Sequence, residues 1–401
     1  MKRTIKLAVV AALALGATSV FATNGDNMIG QAAKSRSMGG VGIAKSFGAE
    51  SALANPANIS TVEKSEFTAG VTFFMPDVKA SSNAFGGTGV ATDSDADLSV
   101  IPELYFASRI NSNLVYGITL AGTAGMGTDY DDAPQANVNR MTTELALLKV
   151  AIPVSYTIGK LNLGIAPVLQ YGTLDIRHTA PPGPNQNNNN SDTGFGYELG
   201  ATYDISSAMT VGAVYKSKIA MKYDNVLSKS IASFGQSANI TSGDNLDQPA
   251  EYGVGISYVT GANTISVDYK RIEWGSAAGY KDFEWDDQDV IAIGYEFATK
   301  TWALRAGYNY SKSPISEQIE TGNGKGSAQN FFNLSGFPGI VESHYAFGGG
   351  YNVSDSLSLD AAVVYAAEKK ESFTTAAYGA GSTVDVSHSQ LGLTVAMTYK
   401  F

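Results

Sequence analysis

The residues that could do chemistry in this chain are few and scattered. Its three histidines, His178, His344 and His388, stand far apart, and none has metal-ligand spacing to a neighbour. With no cysteine present, thiolate metal sites and thiol catalysis are excluded. A hydrolase would need a histidine and a serine brought together with an orienting partner. His388 has serines nearby, but serine is common throughout. Glu284, Asp286, Asp287 and Asp289 crowd around Trp285 and could hold a divalent ion; a solvated loop rim is the competing reading. Gly322-Asn323-Gly324-Lys325-Gly326 lacks the strand-to-helix setting of a phosphate loop and reads as a flexible loop. No catalytic residue, metal or cofactor is expected, and the chain reads as a non-enzyme.

The chain must be placed before its polar residues can be interpreted. Lys2, Arg3 and Lys6 precede an apolar stretch from Leu7 to Ala17, and Val20-Phe21-Ala22 fits a small-residue cleavage site. A retained apolar helix is the alternative, but the stretch is short and has the charge order of an export signal. Residues 1–22 are therefore read as a signal peptide, with Thr23 as the mature N-terminus. Its removal takes three cations and moves the formal charge from −10 to −13. So acidic a chain is a poor partner for nucleic acid. Beyond residue 22 no apolar run approaches the roughly 18 residues of a spanning helix.

The elements that remain are strands. From residue 65 onward, segments alternate apolar with small or polar residues, the period-2 pattern of a two-faced strand. Trp302, Leu304, Ala306, Tyr308 and Tyr310 share one face, and Ala303, Arg305, Gly307 and Asn309 the other. Fourteen such segments are expected, starting near Glu66, Asp97, Leu114, Met141, Leu161, Thr193, Met209, Pro249, Thr264, Trp285, Thr301, Val341, Leu357 and Val384. Short links such as Gly159-Lys160 and Thr299-Lys300 alternate with long ones such as 223–248 and 313–340. Outer-membrane barrels alternate in this way, and a soluble sandwich would not be expected to. The fold class is thus all-β: a 14-stranded transmembrane antiparallel barrel over residues 65–401, in the bacterial outer membrane. Trp274, Trp285, Trp302, Tyr351 and Tyr399 near segment ends suit interfacial girdles. The terminal Phe401 with Tyr399 suits the signal read by the barrel-assembly machinery. Outer-membrane lipid and lipopolysaccharide are the expected surroundings, and a monomer the expected state.

Residues 23–64 break the strand rhythm. They are rich in Gly, Ala, Ser and Asn and close in Asn55-Pro56-Ala57, which marks a turn. They read either as a disordered tail or as a compact plug inside the barrel. This segment and the strand pattern after it resemble the FadL family of outer-membrane long-chain fatty acid transporters. Val100-Ile101-Pro102-Glu103-Leu104-Tyr105, Val214-Tyr215-Lys216-Ser217-Lys218-Ile219 and Leu304-Arg305-Ala306-Gly307-Tyr308 carry the likeness further.

The resemblance implies passive uptake of long-chain fatty acids or similar hydrophobic molecules, with aromatic hydrocarbons as the alternative cargo. A general porin, a barrel enzyme and a surface adhesin or receptor are the more distant rivals. Residues 23–64 would be a hatch, with Asn55, Pro56 and Ala57 at its gate. A kinked third strand would open the wall sideways, and Ala121, Gly122, Gly125 and Gly127 are the candidates because glycine permits bulges. Room left for the hatch would explain the same small residues. Phe234, with Ile231 and Leu227 on a short helix, and Phe331 and Phe332 in a later loop would meet the cargo. Pro181-Pro182-Gly183-Pro184-Asn185-Gln186 and the four following Asn would make a polar outer loop, unlike an apolar capture surface. Lys218, Lys270 and Arg305, on the inward face, are the candidates for a carboxylate contact. Pairing with interior acids such as Glu103, Glu198, Asp268, Glu296 and Asp360 is the alternative, since isolated interior charge is costly.

Overall fold

The computed structural model describes residues 24–133, 137–179, 186–232, 234 and 241–401. The expected signal peptide, residues 1–22, lies outside them, as do Thr23 and Pro181 to Asn185.

Fourteen strands close into a barrel: β1 (Ser65–Ser82), β2 (Ser99–Arg109), β3 (Leu114–Asp129), β4 (Thr142–Ala151, resuming as Val154–Ile158), β5 (Leu161–His178), β6 (Gln186–Asp204), β7 (Met209–Lys216), β8 (Glu251–Thr260), β9 (Asn263–Ile272), β10 (Gln288–Ala298), β11 (Trp302–Ser311), β12 (Ser343–Asn352), β13 (Leu357–Thr374) and β14 (Thr383–Lys400). The break in β4 falls at Pro153, which has no N–H to give the ladder; its carbonyl still accepts from Gly117. Each strand pairs antiparallel with its sequence neighbours, and β14 returns to β1 from Glu66↔Lys400 to Ser82↔Val384. Closure matters because lipid offers backbone groups no hydrogen bonds.

Alternation sets the two faces. On β9, Ile265, Val267 and Tyr269 point outward, whereas Thr264, Ser266 and Asp268 are buried in the lumen. Exposed aromatics form two belts. Tyr215, Tyr252, Tyr345 and Tyr365 lie towards the long-loop end; Tyr258, Tyr295, Trp302, Tyr351 and Tyr399 lie towards the short-turn end. Trp274 and Trp285 do not join a belt. They are 0% and 3% exposed because the loop between β9 and β10 folds inward, where each indole N–H finds an amide oxygen, Gln288 and Asn333 respectively.

The lumen is filled by residues 24–62. Their path starts at the long-loop end, where Ser311 donates to Asn24 (3.0 Å), and leaves at the other end, where Arg109 donates to the Val62 carbonyl (2.8 Å). A short helix, α1 (Ala32–Ser37), packs against β12 and β13. Strand glycines make the seat. A β-carbon at Gly164 would land on the Ala57 backbone, and one at Gly307 on Gly39. The segment is also tied by charge. Buried Arg36 grips Glu103 of β2 with two nitrogens, at 2.6 and 3.0 Å, and reaches Thr72 of β1 at 2.5 Å. Asp268 of β9 accepts the N–H groups of Gly42 (2.7 Å) and Ile43 (2.9 Å).

Breaking one partner of a buried pair leaves an uncompensated charge, at a cost of about 3–5 kcal/mol. Arg36→Ala is therefore expected to destabilise the folded protein by about that amount, read from denaturant midpoints in detergent. Combining Arg36→Met with Glu103→Leu should recover most of the loss, because no charge is then stranded.

Candidate functional site

Asn55-Pro56-Ala57 begins a 3₁₀ turn, Pro56–Thr61, against β5 and β6. Asn55 caps it by accepting the Ala57 N–H (3.0 Å), and Pro56 sits at its first position, where a missing N–H costs nothing. The Asn55 amide also donates to the Ile43 carbonyl (2.7 Å), folding the segment back on itself. The triad fixes the shape of the inner half of the luminal segment and lies away from the long loops.

The three candidate cations have separate fates. Arg305 is committed to strand partners, with Nε on Glu296 and Nη1 on Asp360, both at 2.7 Å. Lys45 and Lys34 of the luminal segment join the same acids at 3.0 and 3.7 Å. Arg305 thus holds the acids to which the segment's lysines attach and is not free for cargo. Lys218 lies beyond the end of β7, half exposed and paired with Asp247 at 3.2 Å, so it does not face the lumen as its alternation implied. Lys270 does face inward. It lines a cavity of about 50 Å³ with Thr123, Lys149, Glu198, Lys216 and Glu251. Lys216 pairs with Glu251 at 3.0 Å and Lys149 with Glu198 at 3.9 Å. Among the described residues Lys270 forms no ion pair within 4.0 Å.

Beside this cavity the wall parts. The β2–β3 ladder runs from Arg109↔Val115 to Glu103↔Ala121 and stops. The next pair would set Gly122 opposite Pro102, which cannot donate a ladder hydrogen bond. On its other side β3 slips register against β4 between Gly122 and Ala124, a bulge at the level where the β2 ladder stops. Gly127, by contrast, packs against the Thr143 backbone of β4. The N-terminal tip fills the opening: Met28 N–H donates to the Thr123 carbonyl (3.1 Å), and Gly125 N–H to the Asp26 carbonyl (3.0 Å). Met28 also packs with Phe74 and Ile101 on the luminal side. The Asp26 carboxylate reaches the outer loops, accepting from Tyr280 (2.5 Å) and Gln248 (3.0 Å). Asp26 thus touches both the kinked strand and the loops, a role no sequence motif marks.

Above the tip the long loops enclose apolar surface. Helix α2 (Leu227–Ala232) buries Leu227 and Ile231, and Phe234 follows it. Helix α3 (Lys325–Gly336) buries Phe331 and Phe332. Phe234 and Phe331 meet at 5.8 Å, while Phe332 stacks on Phe283 at 5.0 Å. Trp274, Tyr280 and Trp285 form a second group, with Trp274 only 2.5 Å from where a Gly25 β-carbon would lie. Loop contacts therefore press directly on the tip.

The structure corrects one loop expectation and gives partners to the residues of two others. Gln186 to Asn190 belong to β6, paired with β5 from His178↔Gln186 to Leu174↔Asn190. Cross-strand pairing and bonds from Asn188 to Ser230 and Asn190 to Asp224 outweigh the low strand preference of asparagine. Gly322 to Gly324 lead into α3, which begins at Lys325, and Glu320 accepts N–H groups of Gly322, Gly324 and Ser327. The acidic residues around Trp285 are shared between cations: Asp287 and Asp289 pair with Arg271, and Glu284 with Lys325. Among the described residues no group of three or more His, Asp or Glu could hold a metal.

Comparison with known proteins agrees with this architecture. A family model described as "Outer membrane protein transport protein (OMPP1/FadL/TodX)" matches residues 8–323. A long-chain fatty acid transport protein of Escherichia coli O6:H1 is 21% identical, over 68% of this chain and 76% of its own. Outer membrane protein P1 of Haemophilus influenzae is 20% identical, over 83% of this chain and 85% of its own. Among solved structures, a Pseudomonas aeruginosa FadL homologue superposes with TM-score 0.71 at 16% identity, covering 94% of this chain and all of that one. The P. putida toluene transporter TodX gives 0.69 at 19% identity, over 94% and 99%.

The tip carries a titratable group whose state depends on its docking. Burial raises the Asp26 carboxyl from 3.8 to about 6, against the lowering effect of its bonds from Tyr280 and Gln248. The docked form thus holds its proton more tightly than a released tip. Docking strength is full below pH 3.8 and is lost as pH rises through 6. Hydrogen exchange at Met28 and Gly125, corrected for intrinsic rates, should show about tenfold greater protection at pH 5 than at pH 8. Asp26→Asn should flatten that dependence.

Proposed function

The chain belongs to the outer membrane protein transport protein family of OMPP1, FadL and TodX, and on that footing we propose that it takes up hydrophobic small molecules, long-chain fatty acids or similar compounds, by passive lateral transfer. It is an outer-membrane β-barrel protein. The observation that carries the reading is the parting of β2 from β3 beside a luminal tip held there by two backbone hydrogen bonds. Cargo is captured among Phe234, Phe331 and Phe332, displaces the tip residues Asp26 to Met28, and leaves between β2 and β3 into the bilayer. Asn55, Pro56 and Ala57 hold the inner half of the hatch while its outer tip moves. For a carboxylate cargo Lys270 is the favoured cation over Arg305 and Lys218, because it lines the cavity beside the opening and forms no ion pair within 4.0 Å among the described residues. The luminal segment, seated on strand glycines and paired with strand charges, argues against a general porin.

Several parts of this reading follow from the setting. The apolar wall and its aromatic belts suit outer-membrane lipid below and lipopolysaccharide above. The terminal Tyr399 and Phe401, stacked at 5.7 Å, suit recognition by the barrel-assembly machinery. The sheet closes on itself through the pairing of β14 with β1, which suits a monomer.

Uptake of labelled oleate by cells lacking and expressing the protein tests the proposal, together with identification of lipid retained on purification. Unchanged uptake and no retained hydrophobic ligand would overturn it. The lateral route has its own test, because the chain has no cysteine. Asn27 and Ala124 form an antiparallel bridge pair, so Asn27→Cys with Ala124→Cys can be oxidised to lock the tip to β3. Uptake should fall at least about tenfold when oxidised and recover on reduction, since displacement of the tip is then blocked. Gly122→Leu should also lower uptake with the barrel folded, because its β-carbon would lie 2.6 Å from Ile101.

A further inference from the structure

The polar cavity of about 50 Å³ beside the opening holds more hydrogen-bond acceptors than its own walls satisfy. Thr123 is the extra residue of the β3 bulge, skipped between the pairs Gly122↔Leu148 and Ala124↔Leu147. Its carbonyl takes the Met28 N–H at 3.1 Å. Its hydroxyl lines the cavity and has no hydrogen bond among the described residues. Asp268 spends Oδ2 on the Gly42 and Ile43 N–H groups and leaves Oδ1 without a hydrogen bond. Neither carboxylate oxygen of Glu198 has one, with Lys149 standing 3.9 Å from Oε1. Thr123, Asp268 and Glu198 are 6%, 1% and 2% exposed. Buried polar groups left in this state are costly, so each calls for a partner that the walls do not supply.

We infer that this cavity receives the neutral hydroxyl head of a long-chain alcohol or similar amphiphile, whose apolar tail lies along the route past Gly122. The inference rests on the lateral transfer proposed above, and it names the cargo class that the exit prefers. The lining is balanced in charge, with Lys149, Lys216 and Lys270 set against Glu198, Glu251 and Asp268. Lys216 is committed to Glu251 at 3.0 Å, and Lys149 stands by Glu198. A neutral head keeps that balance. A carboxylate has no proton to donate, and it adds a charge beside Glu198 and Asp268 with only Lys270 outside an ion pair to offset it. A hydroxyl can donate to a carboxylate oxygen and accept from Lys270 at the same time. Size agrees. A water-sized group needs roughly 10–15 Å³ on this scale, so the cavity admits a few such groups and excludes a sugar head. On the apolar side Met28, Phe74 and Ile101 pack together where the tail would pass.

Full-length protein in detergent is titrated with radiolabelled oleyl alcohol, ionised oleate and 1-octadecene, which share a chain length and differ at the head. The alcohol should bind at least about tenfold more tightly than either, because a site built around a hydroxyl leaves its polar groups unpaired without one. Equal binding of alcohol and alkene would mean that water alone completes the cavity. Tighter binding of oleate would make it a carboxylate site, and either result overturns the proposal. Thr123→Val keeps shape and charge, and should lower alcohol affinity about threefold or more with 1-octadecene unchanged. An unchanged alcohol affinity would count against the site even if other variants failed to fold. Glu198→Gln turns an acceptor oxygen into a donating amide and removes a negative charge. It should weaken the alcohol and strengthen oleate, a crossing that a purely structural residue would not give. Parallel loss of both, or no change, would overturn the assignment. Uptake by cells separates this site from transport itself. If locking the tip to β3 blocks oleate uptake while the three probes bind alike, the head site fails and lateral transfer stands. If the alcohol binds as described but the lock leaves uptake of alcohol and oleate unchanged, lateral transfer fails instead.

Discussion

Lipid offers a peptide group no hydrogen bond, so every N–H and C=O at membrane depth must find its partner within the protein. Nearly all of this structure answers that demand by closing the sheet on itself. The exception lies on β3 beyond Ala121, where the neighbouring strand presents Pro102 and the ladder stops. The backbone there is satisfied by residues 26–28 of the luminal segment. One obligation thus makes a place where the wall can be closed or opened by moving a few residues rather than a strand. The opening lies just below the rung that joins Met75, Leu391 and Tyr365, within the apolar band.

The luminal segment is held very unevenly along its length. Its inner half is fixed by the Asn55 cap, by Arg109 on the carbonyls of Ser60 and Val62, and by strand glycines that admit its backbone. Its middle is tied by Arg36 to Glu103 and by the shared acids around Arg305. These pairs are buried, and their worth lies in what it would cost to break them one side at a time. The outer tip has no ion pair of its own among the described residues. Its holdings are backbone bridges and the Asp26 carboxylate, which sits between Tyr280 and Gln248. In the proposed route, motion confined to that end would open a path without releasing the plug.

Capture and exit are joined through the same few residues. Aromatic loops press on Gly25 through Trp274, while Asp26 answers to both the loops and the kinked strand. A ligand entering the loop cluster would bear on the tip directly, and no longer chain of contacts is needed. The polar cavity beside the opening, with Lys270 facing it, differs in character from the aromatic surface above. A molecule with an apolar body and an anionic head could use both in turn.

Much of this was legible in the residues alone. Strand number, the two faces and the alternation of short and long connections follow from local pattern, because a strand between lipid and lumen must alternate. Pro102 and Gly122 were visible as unusual strand residues, and Asn55-Pro56-Ala57 as a turn. What pattern could not decide is which distant groups meet. Arg305 alternates inward like Lys270, but only the closed barrel sets it between Glu296 and Asp360 and leaves Lys270 with no ion pair among the described residues. Trp274 and Trp285 stand near strand ends like belt residues, yet their loop folds inward. The asparagine tract reads as loop until a partner strand pairs with it. Asp26 carries no motif at all; its role comes from Gly125, Gln248 and Tyr280, groups on distant strands and loops. Local periodicity is a property of the chain, whereas charge pairing, ring contacts and the position of the tip are properties of closure, which only the tertiary structure decides.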